Sequence, residues 1–278
     1  MKYKIVSDSG VNLRRKSGAA DFALVPLKII TAEREFVDDD RLDVQEMVDY
    51  LSHTKEKSGS ACPGSIDYLD AFGDADAIFC FTITGTLSGS YNAACLAKKD
   101  YEAKYPERQV CVIDTLSAGP EITLLIEKTE ALIASGKDFD TICQQLMEYK
   151  EKTGLMFSLE SLKNLENNGR VSPIVAKAAG ILGIRVVGRA SEKGDLEPMG
   201  KCRGEKKALA ALFSIMKEKG FAGGKVRIDH CSNKNAAMQL KEMICNEFSN
   251  AEVLIHVTYG LCSFYAEKGG LMVGFEKS

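Results

Sequence analysis

No apolar run in this 278-residue chain reaches the roughly 18 residues that a membrane-spanning helix needs. Nor is there an excess of charge of one sign. The 36 Lys and Arg against 39 Asp and Glu leave a formal net charge of −3, with no global pull toward nucleic acid or an anionic membrane. The nine cysteines show no C-x-x-C spacing. Their number is odd and they are scattered through apparent strands and helices, which predicts reduced structural thiols in a cytoplasmic protein rather than a disulfide framework. The three histidines, His53, His230 and His256, stand away from paired cysteines, so no metal site is expected. The opening stretch MKYKIVSDSG meets a charge after a short apolar run and reads as a strand, not a signal peptide.

What is present is ordinary globular material. The hydrophobic fraction is 45% and the charged fraction 27%, with length for one large or two medium domains. Short continuous apolar runs read as strands buried on both faces: YKIVSD, AIFCFT, QVCVID, LMFSL, IRVVG, KVRIDH and AEVLIHVT. Amphipathic segments such as SIDYLDAF, PEITLLIEKTEALIASG and GEKKALAALFSIMKEKG alternate with them. This alternation predicts an α/β protein of two domains, 1–154 and 155–278, each with a mainly parallel sheet flanked by helices. The stretch SEKGDLEP at 191–198 reads as a polar hairpin tip.

Three loops after strands look alike: SDSG after YKIV, TGTLSGS after AIFCF, and DTLSAGP after QVCVI. A fourth hydroxyl-rich segment, KSGSACPGS at 57–65, precedes the helix at Ile66. In open α/β sheets ligands sit beyond the carboxyl ends of strands, where backbone N–H groups, hydroxyls and helix N-termini favour an anion. Neutral donors suit a carboxylate. Each hydroxyl taken alone also reads as a helix cap, Ser90 for the helix from Tyr91 onward in particular. A phosphate-gripping loop of the form G-x-x-x-x-G-K-[ST] is not matched by GTLSGS, which lacks both the spacing and the Lys. A hydrolase elbow needs G-x-S-x-G and a histidine partner, whereas Ser88 stands in GTLSG and the histidines lack motif context.

In order and spacing, KIVSDSG, SACPGSIDYLDAF, LSGSYNAA, VIDTLSAG, SLESLKNLENNGRVSP and KCRGEKKAL together resemble the DegV family of bacterial fatty-acid-binding proteins, over nearly the whole chain. The resemblance implies a DegV-like pair of α/β domains and a non-enzymatic carrier of a long-chain fatty acid, without cofactor. The acyl chain would be buried and the carboxylate held by hydroxyls. It implies a fatty acid kinase as partner, and no nucleic acid. Carried over by position, carboxylate-binding roles fall on Ser60 and Ser88, with Asn92 as a further amide donor. Arg170 and Arg203 match positions that serve the lipid head region and the docking of the kinase. FALVPLKII at 22–30 and IVAKAAGILGI at 174–184 are candidates for the acyl wall.

The chain departs from the family pattern near its C-terminus, where a His-x-G-P-G segment is usual. FYAEKGGLMVGF places Tyr265 in the His position and Lys268 in the Pro position. In the T-S-x-P segment the second residue is Ala61, and an extra Gly-Ser follows Pro63. These changes bear on presentation of the lipid to a kinase more than on lipid binding. Two other classes remain open. One is a phosphotransferase component using the strand-end acids Asp8 and Asp114 with Mg²⁺. The other is a regulatory module for another carboxylated metabolite.

Overall fold

The computed structural model describes residues 1–14, 18–54, 56–173 and 183–278. All seven apolar runs form strands. In the first half β1 (Tyr3–Asp8), β2 (Asp21–Val25), β6 (Ala77–Thr82) and β7 (Gln109–Asp114) make a sheet in the order β2-β1-β6-β7, parallel throughout. Strand alternation divides its residues between two cores. Ile5, Phe79 and Phe81 pack against α4 (Pro120–Ala134) and α5 (Phe139–Glu151). Val6, Ile78 and Cys80 pack against α2 (Ser65–Phe72) and α3 (Ser90–Lys104). Three short strands, β3 (Lys28–Ile30), β4 (Glu35–Val37) and β5 (Gly59–Ala61), form a separate antiparallel sheet in the order β4-β3-β5. The sequence reading did not see it, because three-residue strands are too short to show a period. Helix α1 (Val44–His53) lies between β4 and β5 in the chain.

The second half corrects the expectation of a mainly parallel sheet. Strands β8 (Thr153–Leu159), β9 (Ile184–Ala190), β10 (Leu196–Arg203), β11 (Lys225–His230), β12 (Glu252–Val257) and β13 (Leu271–Glu276) run in the order β10-β9-β8-β13-β11-β12. Four of their five pairings are antiparallel, and only β11 and β12 run parallel. The hairpin β9–β10 and the insertion of β13 between β8 and β11 set these directions. Neither is visible in strand composition, since a strand covered on both faces reads as a continuous apolar run whichever way it points. One face carries α7 (Glu205–Glu218) and α8 (Lys234–Glu247), which share a core with Met156, Val226 and Val273. Because this sheet starts at Thr153, a division after residue 154 cuts through β8. The short helices α6 (Lys163–Asn167) and α9 (Gly260–Ala266) complete the described elements.

Helix α4 joins the halves. Its first seven residues are all buried, because it packs on the first sheet and also on β8, β11 and β13 of the second. Glu121 accepts from Ser117 Oγ (2.5 Å) and Thr153 Oγ1 (2.7 Å). Glu127 receives Nε and Nη2 of Arg227 on β11 at 2.8 and 2.6 Å. The first turn of α4 lies directly on Gly274 of β13, where a Cβ would stand 2.6 Å from the Glu121 nitrogen and from the Pro120 carbonyl carbon. Gly274→Ala is therefore expected to lower stability by about 1–3 kcal/mol, as overpacking does. Gly200→Ala on β10, where a Cβ meets nothing within 4 Å, is expected to stay within about 0.5 kcal/mol of the native chain. Urea unfolding of the two variants side by side checks this, and equal midpoints would refute the close approach.

Candidate functional site

Beyond the N-terminal end of α4 the two halves diverge and enclose a cavity of about 350 Å³, within the range of small-molecule sites. Strand β8 supplies one wall through Leu155, Phe157 and Leu159, three residues at period two on the face turned away from α7 and α8. Met272 of β13 and Leu196 of β10 extend that wall. Leu27, Ile83, Leu87 and Ala118 come from the first half. Leu261, Cys262, Tyr265 and Ala266 of α9 close a side. Of the two segments read as acyl-wall candidates, 22–30 contributes Leu27. Residues 174–182 of the other lie outside the described residues.

The polar side chains of the lining are those of Ser60, Thr84, Ser88, Arg170 and Tyr265. Ser60 lies in β5, opposite Ile29 of β3, and its hydroxyl is 2.7 Å from the Tyr265 hydroxyl. Ser88 belongs to the loop between β6 and α3. That loop is pinned from below: Asp114 Oδ1 accepts from Gly85 N and Leu116 N, both at 3.1 Å, and Thr84 N donates to the Ser117 carbonyl (2.9 Å). Ser88 Oγ accepts from Ser90 N (3.2 Å) and stands 3.0 Å from Ser90 Oγ. The cap of α3 is Gly89, not Ser90, which is the first helical residue and is fully buried. Arg170 follows the turn at Gly169 and points back over the loop, donating to the carbonyls of Leu87 (3.3 Å) and Asn168.

The neighbouring loops are spent on structure. Asp8, at the end of β1, accepts from Ile83 N (2.9 Å) and Gly10 N (3.1 Å). Burial pushes its carboxyl up to about 7, against the opposing pull of those two N–H groups and of Ser90. Ser9 Oγ accepts from Leu27 N (2.9 Å) and Thr115 Oγ1 donates to the Thr82 carbonyl (2.7 Å). Both strand-end acids thus hold backbone N–H groups of the turns around them. Helix α9 is held at its start by Asp38, which accepts from Gly260 N and Leu261 N at 2.8 Å and pairs with Arg14. Burial raises the Asp38 carboxyl even so, with Arg14 acting in the opposite sense.

Four of the six residues singled out in the sequence, Ser60, Ser88, Arg170 and Tyr265, line this cavity together. The other two do not. Asn92 is exposed on α3, whose buried stripe is Ser90, Ala94, Ala97 and Tyr101. At 100° per residue it falls far from Ser90, so adjacency to the loop in sequence misplaced it. Arg203 is exposed at the end of β10, and the helix it was read as opening begins at Glu205. Thr84 and Cys62 also line the cavity and were not singled out. Thr84 was legible as part of the hydroxyl loop, whereas nothing about Cys62 in the sequence distinguished it from eight other thiols.

The family profile described as "Uncharacterised protein, DegV family" matches residues 2–278. A DegV domain-containing protein of Streptococcus pneumoniae is 45% identical over 279 residues, covering 99% of each chain. Among solved structures, the S. pneumoniae Fatty Acid Kinase (Fak) B3 protein loaded with linoleic acid is 44% identical, with a TM-score of 0.98 and full coverage of both chains. A DegV family protein from Eubacterium eligens loaded with heptadecanoic acid is 42% identical with a TM-score of 0.97, over 99% of this chain and 100% of that one.

The contact between Ser60 and Tyr265 spans 205 positions of sequence and joins β5 to α9. A double-mutant cycle of Ser60→Ala and Tyr265→Phe, read by urea unfolding, is expected to give a coupling of about 1 kcal/mol. Additive losses would show that the two hydroxyls act independently.

Proposed function

The chain belongs to the DegV family, and from that premise we propose that it is a non-enzymatic carrier that buries the acyl chain of a long-chain fatty acid in the cavity between its sheets. The observation that carries this reading is the lining, with apolar walls from β8, β13 and the first half, and among them the hydroxyls of Ser60, Thr84, Ser88 and Tyr265, of which Ser60 and Tyr265 stand 2.7 Å apart. Ser60 and Ser88 are proposed to donate to the carboxylate, with Tyr265 beside Ser60 and Arg170 adding positive charge over the loop. Asn92 has no part in this arrangement.

Burying roughly 15 methylenes at about 0.8 kcal/mol each gives on the order of 12 kcal/mol gross. Association and ordering take back several. Neutral hydroxyls therefore suffice for the head group, and no cofactor enters the reading. The nine cysteines are all unpaired, which fits a reducing, cytoplasmic setting. Among the described residues no helix is long and apolar enough to cross a membrane.

The test is extraction of protein purified from a bacterial host. Fatty acids of roughly 14 to 18 carbons are expected in near-stoichiometric amount, a length range implied by the family and in keeping with the burial estimate. Ser60→Ala and Ser88→Ala are each expected to weaken binding by about 1.5–3 kcal/mol, the worth of a hydrogen bond to a charged acceptor. A clean extract, together with no uptake of labelled palmitate or oleate, would refute the carrier reading.

The proposed partner is a fatty acid kinase, which transfers a phosphoryl group to the bound carboxylate. Arg203, exposed and away from the cavity, is assigned to docking that partner. Arg203→Ala is expected to reduce acyl-phosphate formation while leaving lipid affinity within about twofold, since a rim charge acts on encounter with the partner. Tyr265→His, which restores the residue usual in the family, is expected to keep lipid affinity within about tenfold and to raise the phosphorylation rate by adding a group that titrates near neutrality. Unchanged phosphorylation in Arg203→Ala would remove the docking role.

A further inference from the structure

The cavity has two unlike ends. At one, Tyr265 of α9 stands 2.7 Å from Ser60 and packs against a cluster that contains Leu159, the last residue of β8. At the other, Leu155 of β8, Cys262 of α9 and Met272 of β13 form a small buried cluster of their own, with Ala118 and Ala190 packed against it. Both β8 and α9 therefore run from this apolar end toward the polar one, and the four strand steps from Leu155 to Leu159 separate the two by about 13 Å. Leu155 is also the one described residue shared with a second pocket, of about 120 Å³, which Glu121, Lys150, Arg189 and Lys277 line as well. It stands between an apolar space and a charged one. Its backbone is fixed. Leu155 pairs with Gly274, on which the first turn of α4 lies, and Thr153 two residues earlier donates to Glu121 of that same turn (2.7 Å).

Resting on the carrier reading, we propose that Leu155 determines the longest acyl chain the protein accepts, by ending the apolar cavity and walling it off from the charged pocket behind. A fatty acid with its carboxylate at Ser60 and Ser88 extends toward Leu155. While apolar cavity remains to be filled, each further methylene raises affinity by about fourfold, the equivalent of one buried CH₂. At Leu155 that gain stops. Met272 at the same end is unbranched and adapts its shape, so the branched side chain on a fixed strand sets the limit. A longer chain has to displace Leu155, which close packing resists. The space beyond offers it no relief, because a methyl end there would take water from the half-buried Lys150, Arg189 and Lys277.

The experiment offers the delipidated full chain an equimolar mixture of saturated fatty acids, from shorter to longer than the expected range, and identifies the bound ones by mass spectrometry after extraction. The same mixture meets every variant, so differences in solubility between the acids cancel. Leu155→Ala, which removes three carbons from the wall, is expected to move the longest well-bound acid up by about two carbons, since the site cannot fully collapse. Leu155→Phe, which adds three, is expected to move it down by about as much. Leu159→Ala takes the same side chain from the other end of the strand and is expected to weaken binding at all lengths without moving the limit. Should Leu155→Ala lose its melting transition, Leu155→Val carries the same sign with a smaller shift. An unmoved limit in the folded Leu155 variants, or an equal shift in Leu159→Ala, would overturn the wall and leave the carrier reading intact. A native chain that binds no acid of any length would overturn both.

Discussion

The contact on which the architecture rests is that of α4 with two sheets at once. A helix buried on one side can sit at a range of heights above its sheet. One buried on opposite sides fixes the distance between two sheets, because neither interface can loosen without opening the other. Gly274 lets the first turn of α4 approach β13 at backbone distance, and the bidentate pair of Arg227 with Glu127 ties the same helix to β11. The cavity is the space that remains beyond the N-terminal end of this helix, where Ala118 and Met272 pass from core into cavity lining. Its width is thus set by helix packing, not by the loops that carry its hydroxyls.

Those loops in turn are shaped by acids at strand ends. Asp8 and Asp114 each gather backbone N–H groups from neighbouring turns, so the hydroxyl loop after β6 is held from both flanks by carboxylates. Asp38 does the same for α9 from the loop after β4. The hydroxyls of the cavity therefore come from three separately anchored pieces, β5, the loop before α3, and α9. A shift in any one of them displaces a hydroxyl relative to the other two.

Much of the first half was legible in the chain, because parallel strands buried on both faces and the loops that follow them have characteristic compositions. The run LMFSL even carried the period-two pattern of Leu155, Phe157 and Leu159 that lines the cavity. Strand direction in the second half was not legible, since Val226 or Val273 would be equally apolar in either orientation. Tyr265 could be found only as a departure from a pattern, and its partner Ser60 lies 205 positions away, beyond any local signal. Asn92 shows the opposite failure. The helical stripe through Ala94, Ala97 and Tyr101 was present in the sequence and would have turned it outward, but proximity to the loop was given more weight than period.

An apolar cavity of about 350 Å³ between the two halves has a consequence for the energetics of the whole chain. A bound acyl chain there is in effect a piece of hydrophobic core supplied from outside the polypeptide. By mass action the folded state gains RT ln(1 + [L]/Kd), about 2.7 kcal/mol when free lipid is a hundredfold above Kd. That is a large share of the stability of an ordinary domain. If the proposed carrier reading holds, the resistance of this protein to unfolding and to proteolysis becomes a gauge of lipid supply, because the loaded form is the one that resists.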